Sequence, residues 1–125
     1  MKTFKEQFAT YEIALAIKEL GFDEECLGYY RNDSKSLFIG EDSRVQKDSI
    51  QAPLLQQCID WFREKHDIHI YIEPGFDNLG KPEIYQWEMK IRNRVFIKDG
   101  DFKSYEEARE QAILKAVKYL KTEDL

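Results

Sequence analysis

The sequence predicts an α+β protein in which an N-terminal helix and a β-hairpin precede a helix, three strands and a final helix. Apolar residues recur at helical spacing in three segments, alternate with polar residues in the segments between them, and are separated by Gly, Pro and polar clusters. We expect the last three strands to form an antiparallel sheet over residues 68–97. One face of it should be covered by the helices that begin at Pro53 and Ser104.

The first helix has two candidate starts and two apolar stripes. Thr3 and Glu6 have the spacing of a capping box, Thr10 offers a later N-cap, and Gly21 marks the end. A helix that starts at Thr3 places one stripe along Ile13, Ala16, Ile17 and Leu20, and a second along Phe4, Phe8, Tyr11 and Leu15. The second stripe packs either on the following hairpin or on another copy of the chain, so its four residues are candidates for a homodimer interface.

A hairpin and a polar connector follow the first helix. Residues 26–30 and 37–39 flank a polar turn, which predicts two paired strands, and residues 41–51 form the connector, where any internal boundary should fall. We treat the chain as a single domain of 125 residues with an N-terminal subregion, 1–48, and a core, 52–121.

The second helix has the clearest pattern in the chain. Pro53 suits its first turn, and the apolar residues Leu55, Cys58, Ile59 and Phe62 follow at i, i+3, i+4 and i+7. Trp61 lies at the rim of this apolar arc. If exposed, it is a candidate for partner binding.

Three strands are predicted between the second and third helices. The first alternates from Ile68 until Pro74 and Gly75 end it, and the third runs through residues 95–97 until Asp99 and Gly100 close it. The middle strand places Tyr85, Trp87, Met89 and Ile91 on one face. The aromatic residues expected in the core are Phe62, Tyr85, Trp87 and Phe96.

The last helix opens with a second capping box, Ser104 and Glu107. Its apolar stripe consists mainly of small residues: Ala108, Ala112, Ile113, Ala116, Val117 and Leu120. Arg109 falls inside this stripe, where a cation must reach the rim or pair with an acid, so we count it as a candidate anion-binding residue.

The charge balance disfavours nucleic acid as a partner. Twenty-four acidic against 19 basic residues give a net charge of −5, which repels a polyphosphate on average. One stretch reverses the balance, and its candidate anion-binding residues are Lys90, Arg92 and Arg94. If Trp61 and Tyr71 are exposed beside Lys90 and Arg92, they form an aromatic and basic platform that stacks bases or binds a partner protein.

No set of residues indicates a catalytic site, a metal site or a cofactor. His66 and His69 are separated by a helix end, Cys26 and Cys58 have no CxxC spacing, and no glycine-rich phosphate-binding motif is present. The two cysteines favour a disulfide-free protein of the cytoplasm. The first ten residues lack a signal-peptide pattern, and no apolar run approaches the roughly 20 residues that span a membrane.

Two resemblances extend this reading. Residues 53–120 resemble the double-stranded RNA-binding domain in element order and in the rhythm of Ser104, Ala108, Ala112, Ala116 and Leu120. In that family a lysine-rich first turn of the last helix binds phosphates. The matching turn here has the sequence Tyr105-Glu106-Glu107-Ala108-Arg109. The segments 20–30 and 52–65 resemble small uncharacterised proteins of phages and mobile elements of Bacteroides-like bacteria, which implies an accessory role.

We therefore expect a non-enzymatic protein-interaction module of phage or mobile-element origin that binds a host or phage protein. The alternative is a nucleic-acid-binding accessory protein that uses the basic strand residues. A small hydrolase or transferase is the third hypothesis, and it requires a pocket that gathers at least two of His66, His69, Cys58 and the acids.

Overall fold

A computed structural model describes residues 4–40, 49–76, 78–92 and 95–122 of the chain. Within these ranges the helices are α1 (Tyr11–Glu19), α2 (Leu55–His66) and α3 (Tyr105–Thr122). The strands are β1 (Gly28–Arg31), β2 (Leu37–Ile39), β3 (Ser49–Ala52), β4 (Ile68–Phe76), β5 (Pro82–Ile91) and β6 (Val95–Phe102). The α+β class is confirmed, as is the order of helix, three strands and helix in the C-terminal part.

The chain divides into two compact units, and the second unit covers Ile59–Thr122. The division falls after Cys58, inside α2. The sequence had predicted that any internal boundary would fall in the connector 41–51. The reason is β3, which occupies the end of that connector and pairs with β1. Residues 41–48 of the connector lie outside the described residues.

The first unit contains an antiparallel sheet with the strand order β2-β1-β3. The predicted hairpin is confirmed, with Gly28 opposite Ile39 and Tyr30 opposite Leu37. Strand β3 was not predicted, because its four residues alternate between the polar Ser49 and Gln51 and only two apolar side chains. Both of those, Ile50 and Ala52, are buried.

Helix α1 begins at the later of its two candidate starts. Thr10 is the N-cap, and its hydroxyl accepts a hydrogen bond from the Ile13 backbone N–H at 3.3 Å. Residues Phe4–Gln7 form a separate 3-10 turn, and Thr3 lies outside the described residues.

The predicted second stripe therefore does not exist as one helical face. Phe8 lies between the 3-10 turn and α1, forms an isolated bridge with Leu54, and is only 4% exposed. It packs in a cluster with Tyr30 and Ile50, and Tyr11 lies against that cluster. Phe4 and Leu15 remain exposed, so the four residues do not form a continuous homodimer seam.

A buried hydroxyl links β1 to the start of the chain. The Tyr30 hydroxyl donates a hydrogen bond of 2.6 Å to the Ala9 carbonyl oxygen. We expect Tyr30→Phe to lower the free energy of unfolding by about 1–2 kcal/mol, because the buried carbonyl loses its donor. Urea denaturation measures the change. Tyr29→Phe, in the same strand but partly exposed, is the matched control, and equal losses in both variants would contradict the assignment.

The second unit contains the antiparallel sheet β4-β5-β6, and α3 packs along all three strands. The side of the sheet that faces α3 carries Ile68, Trp87, Met89 and Ile91, all at most 3% exposed. The small-residue stripe of α3 is also buried: Ala108, Ala112, Ile113, Ala116 and Val117. Small side chains allow a helix to approach a sheet closely, and this stripe lies between α3 and the sheet.

Two strands run further than the sequence predicted. Pro74 and Gly75 do not end β4, because β4 is an edge strand, where a proline can direct its missing N–H away from the ladder. Asp99 and Gly100 do not end β6 either. The β5–β6 register shifts between Tyr85 and Trp87, and the extra residue of this bulge is accommodated with Asp101 at a φ of 69°.

Candidate interaction surface

The face of the second sheet opposite to α3 is the candidate surface. Because side chains alternate along a strand, the residues that interleave with the buried set point to this side. Tyr71 is 46% and Phe96 53% exposed, and Lys90 and Lys98 are also exposed. We call this surface the outer face and define it by His69, Tyr71, Glu88, Lys90, Phe96 and Lys98.

The strand register arranges the outer face in two rows. In the first row Lys90 of β5 lies between His69 of β4 and Phe96 of β6. In the second row Glu88 lies between Tyr71 and Lys98. The two exposed aromatic rings thus belong to the two edge strands, and charged side chains of the middle strand lie between them. Two strand spacings separate the edges, about 10 Å.

Positive and negative charges balance when the outer face is taken together with Glu73 of the adjoining row. Lys90 and Lys98 are balanced by Glu88, directly opposite Lys98, and by Glu73 in the next row. The row of Glu73 continues with Gln86, whose amide donates to the Glu73 carboxylate at 3.5 Å. A surface of this kind offers both signs of charge beside aromatic contact area, and it does not present the concentrated positive charge that attracts a polyphosphate.

The predicted basic strip is not continuous on the outer face. Lys90 lies on it, but Arg92 lies in the turn after β5, with its backbone N–H donating to the Asp67 carbonyl oxygen at 3.0 Å. Arg92 has a φ of 52°, so the chain leaves the strand at this residue and the alternation stops. Arg94 lies outside the described residues.

Two predicted site residues are buried. Trp61 is 3% exposed and packs edge-on against Phe62 and His66, with ring centroids at 5.2 and 4.7 Å, so it lacks the exposure on which its candidacy for partner binding depended. Arg109 is 7% exposed, and its guanidinium lies over the Tyr105 ring at 5.4 Å. Trp61 lies at the rim of its apolar arc and Arg109 lies inside the stripe of α3, and packing buries both side chains.

One residue of the outer face was predicted to lie in the core. Phe96 was assigned to the core, yet it is 53% exposed. A signal was present, because residues 95–97 are three consecutive apolar residues and neighbours on a strand point to opposite sides. Ile97 lies opposite the buried Met89, so Phe96 must face the other way.

The two thiols considered for catalysis are buried. The Cys26 thiol is buried, and burial together with Glu24 and Glu25 raises its pKa to about 12. Cys58 is fully buried, and the His69 ring bonds the Asp67 carboxylate at 2.7 Å. Among the described residues, no three His, Cys, Asp or Glu side chains cluster with metal-binding geometry. No helix in these ranges is both long and apolar enough to cross a bilayer.

The stability of the protein should depend on pH through His66. Burial, and secondly the nearby Arg92, lower the pKa of His66. The folded state therefore binds this proton less readily than the unfolded chain. Its stabilising contribution is complete above the ordinary value near pH 6.5, and it is lost as the pH falls below that value towards the lowered pKa.

We expect the urea midpoint to fall between about pH 7 and pH 5.5, above the range where most carboxylates titrate. Midpoints measured across this range for the wild type and for His66→Gln isolate the effect. The variant should lose most of the slope, and an unchanged slope would assign the dependence to other groups.

Comparison of the chain with protein-family models, curated protein sequences and solved structures finds no match.

Proposed function

We propose that the chain is a non-enzymatic protein-interaction module that binds a partner protein on its outer face. The observation that carries this proposal is the pair of exposed aromatic residues, Tyr71 and Phe96, on either side of a middle strand whose charges are balanced by their neighbours. Aromatic side chains supply much of the binding energy of protein interfaces, and surrounding charges fix the orientation of the partner.

The surface also specifies the chemistry of its partner. A complementary protein segment places apolar side chains about 12 Å apart, over Tyr71 and Phe96, because the two rings are two strands and one row apart, with both signs of charge between them. The resemblance to phage and mobile-element proteins makes a protein of the host or of the phage the expected partner.

Paired variants test the proposal. The purified protein is immobilised and exposed to extract from its native cells, and captured proteins are quantified for the wild type and for Tyr71→Ser/Phe96→Ser. Loss of two aromatic contacts should weaken the binding of a specific partner by about 30-fold or more. Phe76→Ser/Leu79→Ser is the matched control, because both residues are more exposed and lie outside the outer face. Equal capture by all three proteins would refute the proposal.

Nucleic-acid binding is the second candidate, and one observation favours it. Tyr71 and Phe96 are exposed beside Lys90 and Lys98, and single-stranded nucleic acid binds surfaces that combine stacking rings with cations. Titration of the protein with labelled RNA and DNA at low and high salt distinguishes this function. Binding that falls steeply with salt and is lost in Lys90→Glu/Lys98→Glu would support it, and no binding at low salt would exclude it.

A further inference from the structure

Strand β6 is an edge strand of the second sheet, and its first part is open. The strand order β4-β5-β6 leaves one side of β6 without a neighbouring strand among the described residues. Within the same ranges, no backbone hydrogen bond outside the sheet ladder involves residues 95–99. Phe96 is 53% exposed, and Lys98 is exposed as well. An open edge of this kind can pair with another strand through its backbone N–H and carbonyl groups.

The hydrogen bonds of β5 determine which backbone groups of β6 face the open side. The Arg92 N–H, one residue beyond β5, donates to the carbonyl oxygen of Asp67, one residue before β4. Residues of a middle strand direct their backbone groups alternately to its two neighbours, so Lys90 bonds β4 and Met89 bonds β6. Ile97 lies opposite Met89 and therefore directs its backbone groups inward, to β5.

Phe96 and Lys98 precede and follow Ile97 on β6, so their N–H and carbonyl groups point to the open side. The opposite edge of the sheet has the same alternation. Pro74 of β4 lies opposite Tyr85, at a position where the β4 backbone is turned away from β5. A proline fits such a position because it has no N–H to donate. The open edge of β6 thus offers two donors and two acceptors.

The open part of β6 ends at a defined point. The Asp99 carboxylate accepts the Gly100 backbone N–H at 2.8 Å, and Asp101 has a φ of 69°. The first feature occupies the next donor, and the second belongs to the bulge, which bends the strand. Charged residues and bulges are common protections of a sheet edge against pairing. Pairing with another strand is therefore confined to residues 96–98, a stretch centred on Ile97.

This stretch is complementary to a second copy of itself. When two antiparallel copies are related by a two-fold axis beside Ile97, Phe96 of each copy lies opposite Lys98 of the other. Both residues direct their backbone groups outward, so each of these two pairs exchanges two hydrogen bonds, and four form in all. The centred register is the one that uses every open group of both edges.

The side chains favour the same register. Ile97 is half-buried on the α3 side, opposite the buried Met89, and it would face Ile97 of the second copy and lose its remaining apolar exposure. On the outer face, Phe96 would lie between Lys90 of its own copy and Lys98 of the other. Lysine stems pack on an aromatic ring, and their ammonium groups are attracted to its face. Like charges are not placed opposite each other.

We propose that two copies of the chain associate by antiparallel pairing of their β6 strands, which joins the two three-stranded sheets into one sheet of six strands. The interface is small compared with the roughly 800 Å² that each partner buries in a standard interface, so we expect a dissociation constant on the order of 0.1 mM. The pairing uses the backbone of β6 and does not depend on the binding of a partner protein to the outer face.

Analytical ultracentrifugation of the full chain, from about 20 µM to about 1 mM, tests the proposal. The wild type should show an equilibrium between monomer and dimer. Lys98→Pro removes one outward N–H from each copy and no bond of the β5–β6 ladder, so it should weaken association by at least about tenfold. Lys98→Ala removes the same side chain but keeps the N–H, and it should associate within about threefold of the wild type.

Nuclear magnetic resonance locates the pairing and shows whether each variant is folded. In ¹H–¹⁵N spectra over the same concentration range, the amide signals of Phe96 and Lys98 should shift saturably. The amides of Ile70 and Ile72 point outward from β4 by the same alternation, and their signals should remain in place.

A chain that remains monomeric at about 1 mM would overturn the proposal and leave the edge to a strand of another protein or to solvent. Assemblies larger than a dimer would also overturn it, because two-fold pairing closes at two copies. Equal weakening by Lys98→Pro and Lys98→Ala would show that the side chain, and not the backbone, mediates association. Shifts at β4 without shifts at β6 would assign the association to a different edge.

Discussion

Replacing Phe62 by Ala is expected to lower the free energy of unfolding by about 3–5 kcal/mol. Phe62 has no exposed surface and is a principal buried side chain of the protein. Its ring contacts Trp61 and His66 on the same helix, with centroids at 5.2 and 6.3 Å. Truncation removes this packing and leaves a cavity that the helix cannot fill by itself. Because domains are stable by only about 5–15 kcal/mol, a large part of the total is lost.

The size of the effect is measured by urea denaturation, with loss of near-ultraviolet dichroism as a second probe. Phe96→Ala is the matched control, since the same substitution on the exposed outer face should cost much less. If the two variants lose similar stability, Phe96 is not an exposed docking residue and the outer face is incorrectly assigned. One experiment therefore tests both the core and the premise of the proposed function.

Segments in which local signals agree were predicted well. Helix α3 begins as its capping box requires, with the Ser104 hydroxyl accepting the Glu107 backbone N–H at 3.1 Å. The Glu107 carboxylate in turn accepts the Lys103 backbone N–H at 3.4 Å. The alternation around Met89 and Ile91 identified the buried face of β5, because a slip by one residue would move every side chain to the other side.

Features that depend on distant partners were not predictable in the same way. Strand β3 exists because β1 offers it an edge, and its own four residues contain too little pattern to indicate this. Phe8 is buried because Leu54, far away in sequence, pairs with it. Pro74 remains within β4 because the strand is at an edge, a position that becomes known only from the sheet order.

The residues of the candidate site show the same contrast between local patterns and contacts distant in sequence. Tyr71 and Lys90 are exposed as the alternation of their strands predicted, because each lies on the side of its strand opposite to the buried apolar residues. Trp61, at the rim of its apolar arc, is buried by packing that its own pattern does not contain, whereas the exposure of Phe96 follows from the alternation of residues 95–97.

The start of α3 bears on function as well as on folding. The first turn holds Tyr105, Glu106 and Glu107, and its two acidic side chains repel phosphate groups. Acidic residues stabilise a helix start by interacting with its dipole, and Glu107 is also engaged with Lys103. This turn is built for helix capping, which agrees with a partner other than a polyanion.

Alkylation of Cys26 in the folded protein should be slower than in the unfolded protein by about a thousandfold at pH 8, because only the thiolate reacts. Burial, and then the nearby Glu24 and Glu25 carboxylates, raise the pKa of the thiol from 9.0 to about 12, so the thiolate fraction falls by that factor. The thiol also donates to the Glu24 carbonyl oxygen at 3.5 Å. Iodoacetamide labelling followed by peptide mass mapping resolves Cys26 from Cys58 without a substitution.

Substitutions near the thiol separate the electrostatic cause from burial. Glu24→Gln/Glu25→Gln should increase the labelling rate of folded Cys26 severalfold, because removal of the carboxylates lowers its pKa. Asp23→Asn is the matched control, since this exposed acid does not contribute to the shift. If Cys26 of the folded wild type reacted as fast as a free thiol, it would be an accessible thiolate. A nucleophilic role would then replace the packing role that its burial indicates, and the non-enzymatic assignment would fail.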